Sequence, residues 1–150
     1  MSEKLRQLAC TLFAEGVRAA DPGAAVKRTL LKYPEPELDG ARLLIAVGKA
    51  AGAMARAALS TNTTFDRAII VTNYENAADI SEPGAGAIAG ATVFAAGHPV
   101  PDQNGARAGQ AVLSALRALV AGDRVLALIS GGGSALLPAP AGALTLAVKA

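Results

Sequence analysis

RVLALISGGGSALL, residues 124–137, is the stretch that decides the fold. An aliphatic run from Val125 to Ile129 ends abruptly in Ser130-Gly131-Gly132-Gly133-Ser134. Three consecutive glycines are costly in backbone entropy. They make sense where the chain turns sharply and lays bare amides against a ligand. At the carboxyl end of a buried strand, such a loop forms a concave set of N–H donors suited to phosphate or carboxylate. The alternative is a tight strand-to-helix turn that binds nothing.

Upstream the same grammar recurs. RLLIAVG (42–48) is a short continuous apolar run, typical of a strand buried on both faces. KAAGAMARAALS follows as a helix with a small Ala-rich face that can lie close to a sheet. AIIVT (68–72) and ATVFAAG (91–97) are the next two strands. Between them NYENAADISEPGAGAIAG is a connector without clear periodicity, with room for a short helix. HPVPDQNG is a loop with two prolines. Residues 104–121 form a helix with Val112, Leu113, Leu116, Leu119 and Val120 along one face. Residues 124–129 complete a fourth strand. This alternation predicts an α/β fold: a doubly wound, mostly parallel sheet with helices on both faces, Rossmann-like in character.

Two helices precede the first strand. Residues 3–20 carry Leu5, Leu8, Leu12, Phe13 and Val17 at helical spacing, which predicts one buried face. Asp21-Pro22 ends that helix and caps a second, running to about Lys32. KYPEPELDG then predicts a surface loop.

At 150 residues the chain fits one domain. Hydrophobic residues make up 52% and aromatics only 3%, so the core is aliphatic. The net charge of +2 comes from scattered basic residues. With no basic stripe and no interleaved aromatics, the reading is of no nucleic-acid partner. The single cysteine, Cys10, excludes an internal disulfide framework and is expected as a buried, inert thiol. There is no apolar signal core and no run near the roughly 18 apolar residues of a membrane span, so a soluble, cytoplasmic protein is expected. The chain stops at LTLAVKA, one turn into a helix that begins after Thr145, which reads as the front part of a longer protein.

In sheets of this kind ligands bind at the carboxyl ends of the strands. Three loops there carry unusual chemistry. Gly48-Lys49 puts an ammonium at the start of a helix, where the dipole disfavours a cation by about 0.3–1 kcal/mol unless an anion sits beside it. Ser130 and Ser134 flank the glycines and offer hydroxyls to an anionic oxygen. His98 and Asp102 bracket two prolines that stiffen their loop, with Asp102 also placed to cap the next helix. Lys49 is the candidate catalytic residue. Ser130, Gly131, Gly132, Gly133, Ser134, His98 and Asp102 are the candidate substrate- or phosphate-binding residues. No metal ligands are assigned, because one histidine cannot make a metal site alone. A P-loop is absent, since Lys49 is followed by Ala50 and position 43 is Leu. So is the dinucleotide fingerprint: the first strand runs into Gly48-Lys49-Ala50-Ala51-Gly52, and Thr72-Asn73 stands where a ribose-binding acid belongs. A hydrolase triad is weak, because the loop is not G-x-S-x-G.

Taken together, VGKAAGAMA (47–55), AGHPVPDQNG (96–105) and SGGGSALLPAP (130–140) resemble the glycerate 2-kinase family of the MOFRL type, whose members often carry the name hydroxypyruvate reductase. The resemblance runs from about residue 40 to the end. It implies phosphorylation of D-glycerate at its 2-hydroxyl, with ATP and Mg²⁺ as cofactors, glycerate and nucleotide as partners, and no membrane. It also implies that residues 1–150 are the N-terminal portion of a large α/β domain, with the smaller C-terminal domain elsewhere in the same polypeptide. Lys49 matches the family's active-site lysine, and residues 130–134 match its Gly-rich anion loop. One departure is Asn73-Tyr74-Glu75-Asn76, where many members have a Lys-Tyr-Gly-His-like segment. These 150 residues alone are expected to be inactive or nearly so. Competing readings are a hydroxypyruvate reductase using NAD(P)H, which the missing fingerprint opposes, and a non-catalytic anion- or sugar-phosphate-binding module. The oligomeric state is open, a homodimer included.

Overall fold

A computed structural model of the chain describes residues 2–34, 39–61, 63–81, 88, 90–141 and 144–149. Its elements run α1 (Glu3–Ala19), α2 (Pro22–Lys32), β1 (Arg42–Val47), α3 (Ala51–Leu59), β2 (Arg67–Asn73), α4 (Tyr74–Ser81), β3 (Ala91–Ala96), α5 (Gln103–Arg117), β4 (Arg124–Ile129), α6 (Gly133–Leu136) and α7 (Leu146–Lys149). The four strands form one parallel sheet in the order β3-β2-β1-β4. The α/β reading is what the structure has, with helices on both faces.

Winding direction follows from that order. From β1 the chain steps outward through β2 to β3, with α3 and α4 on one face. It then returns across the other face through α5 to place β4 on the far side of β1. A parallel crossover is right-handed in nearly all sheets, so reversing the direction of travel moves the helices to the opposite face. The reversal point lies between β1 and β4, the place where sheets of this kind bind ligands at the carboxyl ends of their strands.

The two cores match the two faces. Leu43, Ile45, Val47, Ile69 and Val71 pack against Ala108, Val112 and Ala115 of α5 and Leu136 of α6. Leu44, Ala46, Ala68 and Ile70 pack against Ala51, Ala55 and Ala58 of α3 and Ile80 of α4. Alanines on both sides of that second layer let α3 lie close to the strands, as its small-residue face predicts.

The amino-terminal edge is pinned by two aspartates. Asp66 accepts from the N–H of Arg42 (2.7 Å). Asp123 accepts from Ala41 N–H through Oδ1 and from Val120 N–H through Oδ2, each at 2.9 Å. The second of these bonds explains why α5 stops at Arg117 rather than at 121: Asp123 draws residues 118–122 into the turn that feeds β4. Asp21 caps α2 as expected, accepting from Ala24 N–H, with Pro22 in the first turn.

Two expectations are corrected. Helix α1 forms, but it has no buried residues, and Phe13 is 74% exposed. Helical spacing supplied an amphipathic face; none of the described residues is packed so as to bury it. Cys10 on that helix is therefore exposed rather than buried. The connector after β2 does hold a helix, α4; its later residues 82–87 and 89 lie outside the described residues, as do 35–38 of the KYPEPELDG loop. Among the described residues no helix is long and apolar enough to cross a membrane.

Candidate functional site

The loops after β1 and β4 are built as one piece. Parallel pairing puts Val47 beside Ile129, so the two strands end level and Gly48 meets Ser130. Ser130 N–H donates to Val47 O (2.8 Å), and Lys49 N–H donates to Gly131 O (2.9 Å). Ser130 Oγ accepts from Ala50 N–H at 3.0 Å and donates to Val47 O at 3.4 Å. The Ser130 hydroxyl, expected to face a ligand, is thus engaged within the chain, tying the lysine turn to the glycine loop. Gly48 is dictated by this contact. It has φ +118°, and a Cβ there would lie 2.2 Å from Ser130 Oγ. Lys49 is exposed and precedes α3 by two residues.

The third loop joins on the α5 side. The His98 ring packs on Gly132, where a Cβ would come within 3.0 Å of His98 Cδ2; Gly132 also has φ +94°. His98, Pro99, Gly132, Ser134 and Ala135 line a hollow of about 370 Å³. The His98–Pro99 peptide bond is cis. Asp102 is the N-cap of α5, accepting from Gly105 N–H through Oδ1 at 2.8 Å. Its Oδ2 accepts from the Tyr74 hydroxyl. Burial pushes its carboxyl up, but hydrogen bonds from Tyr74 and from the N–H groups of Gly105, Gly97 and Asn104 outweigh that and hold it below the ordinary aspartate range. Both carboxylate oxygens thus have partners within the chain.

A second, smaller hollow of about 170 Å³ opens on the α3–α4 side, lined by Lys49, Arg56, Asn76 and Asp79 among others. Asn76 Nδ2 donates to Lys49 O (2.7 Å), holding the lysine turn from below. Glu75 sits at the start of α4. Its own N–H and the Asn73 amide hold its carboxyl below the ordinary range against a smaller opposing effect of burial, and the charges of His98 and Lys49 add to this. Glu75 is therefore an ionised carboxylate close enough to feel both cation-forming groups.

The structure brings the backbone of Lys49 against Gly131 and the His98 ring against Gly132, while the Lys49 side chain lines the smaller hollow and His98 and Ser134 line the larger one. Sequence reasoning missed Tyr74, Glu75 and Asn76 as site residues. Their signal was position, because NYEN follows β2 directly at the carboxyl edge of the sheet. Among the described residues no group of three or more His, Cys, Asp or Glu side chains is placed to hold a metal.

Comparison with known proteins decides the family. A family model described as a domain of unknown function, DUF4147, matches residues 8–150. The chain belongs to the DUF4147 family. Named relatives include the D-glycerate 2-kinase of Thermotoga maritima, 39% identical over 92% of this chain and 31% of its own length. A protein of Agrobacterium vitis named for hydroxypyruvate reductase is 37% identical over 96% of this chain and 30% of its own. The crystal structure of glycerate kinase from Thermotoga maritima superimposes with a TM-score of 0.81 at 35% identity, covering 97% of this chain and 33% of that one. The DUF4147 chain thus spans about a third of the length of the relatives it matches, and it has the glycerate kinase family likeness that its three motifs led us to expect.

Proposed function

We propose that residues 1–150 are the N-terminal portion of the large α/β domain of a glycerate 2-kinase, which phosphorylates D-glycerate at its 2-hydroxyl to give 2-phosphoglycerate. The observation that carries this reading is the bond from Lys49 N–H to Gly131 O (2.9 Å), which makes the ammonium-bearing turn and the triple-glycine loop a single rigid unit. Kinship with named glycerate 2-kinases supports it.

Phosphoryl transfer asks a protein chiefly for positioning and charge neutralisation. Lys49 offers an exposed ammonium at the edge of the smaller hollow. The glycine loop offers backbone amides with no side chains in the way. His98 is held by Gly132 and faces the larger hollow. ATP, when bound, supplies the phosphoryl group, and Mg²⁺ screens its phosphates. Magnesium in such sites is held by one or two carboxylates plus substrate phosphates. Glu75, whose carboxylate feels the charges of both Lys49 and His98, would be the group to hold an ion arriving on the nucleotide. In this reading Lys49 neutralises charge on the substrate or on the transferring phosphoryl, and residues 131–134 hold an anionic oxygen. A cytoplasmic location goes with this chemistry.

The test is a coupled ADP-release assay on the longer protein that this chain is proposed to open, with glycerate, hydroxypyruvate and tartronate. Glycerate-dependent ADP release is expected. Lys49→Ala should lower kcat/KM by about 100-fold or more, the usual effect of losing one charge-stabilising group. The 150 residues alone should release ADP only at background. NADH oxidation by hydroxypyruvate without ADP release would favour the reductase reading instead. Phosphoglycerate binding without turnover would favour a binding module.

A further inference from the structure

Tyr74 is 48% exposed, yet its hydroxyl has two side-chain hydrogen-bond partners. It donates to Asp102 Oδ2 and accepts from Asn104 Nδ2 at 2.8 Å. Tyr74 opens α4 directly after β2, whereas Asp102 and Asn104 lie at the entrance to α5 after β3. The hydroxyl therefore joins two loops that the sheet brings side by side.

What that joint controls follows from Asp102. Its carboxylate receives the Gly105 N–H within α5 and is also stabilised by the N–H of Gly97, at the opposite end of the same loop. The loop from Gly97 to Asp102 is closed on this one carboxylate. His98 is the second residue of the loop, and its ring rests on Gly132 of the glycine loop.

The electrostatics of the pair agree. The bond to Asp102 raises the tyrosine above its ordinary value, more than Asn104 lowers it, with burial adding a little. Asp102 is shifted the other way, as suits a phenol donating to an ionised carboxylate.

We propose that Tyr74 is a positioning residue whose hydroxyl, acting through Asp102, holds the His98 loop against the glycine loop and so sets the affinity of the larger hollow for its anionic substrate. The affinity half rests on the kinase reading; the positioning half does not.

Two variants test it. Tyr74→Phe removes only the hydroxyl from an exposed ring. Asp102→Asn keeps the α5 cap, because Asn caps as well as Asp, but turns an amide or a neutral oxygen toward the hydroxyl. Each is expected to shift the His98 ring resonances, assigned by their loss in His98→Gln, and the double variant should shift them no further than either single one. Against D-glycerate, Tyr74→Phe should raise KM about five- to tenfold, the cost of one hydrogen bond, with kcat within about twofold. An unmoved His98 resonance overturns the positioning role. A lowered Tm with unchanged KM reduces the bridge to a structural tie and overturns the affinity role. If the parental protein releases no ADP with glycerate, the kinase reading fails, while the His98 resonance still decides the positioning role.

Discussion

Strands β1 and β4 lie side by side in register and are written in nearly the same letters, RLLIAV and RVLALI, yet they live in different environments. Val47 of β1 is 5% exposed; its partner Ile129 of β4 is 76% exposed. β1 has a strand on each side and helices on both faces. β4 has β1 on one side, and only Leu126 and Leu128 on its α3-facing surface are partly covered. An apolar run therefore states that a strand can be buried on both faces. Cover is supplied by whatever packs there, and that information lies elsewhere in a chain.

The sharpest way to break this comparison is to truncate one isoleucine in each strand. Ile45→Ala should cost about 2–5 kcal/mol, read from the denaturant midpoint at constant slope, because it opens a cavity under α5. Next comes the turn after β1. Gly48→Ala should cost about 1–3 kcal/mol, since the new methyl meets Ser130 Oγ in a left-handed backbone conformation. The smallest effects belong to the β4 side. Ile129→Ala, and Gly131→Ala, whose Cβ would enter open space, should each stay within about 0.5 kcal/mol of the parent. An Ile129→Ala loss equal to that of Ile45→Ala would mean that the outer face of β4 is covered after all.

The strands were legible because a parallel sheet needs continuous apolar runs, and each run ends in Gly, Asn or Ser. The lysine turn, the glycine loop and the Asp102 cap were legible as local chemistry. Three things were not. Exposure of α1 depends on what packs against it, and amphipathic spacing says nothing about that. The role of the Ser130 hydroxyl depends on Ala50, a residue 80 positions away. Tyr74 meets Asp102 across 28 positions, through strands whose neighbour relation only the sheet order defines. Side-chain bonds between loops are written in topology, and one-dimensional patterns do not carry them.

The Ala50–Ser130 bond also has a consequence for biosynthesis. The Lys49–Ala50 turn leaves the ribosome some 80 residues before Ser130. At about 5–20 residues per second, the lysine turn waits roughly 4–16 seconds for the serine that locks it. Strands β1 to β3 can pair during that interval, so three of the four strands are available to a nascent chain before its two loops can be joined.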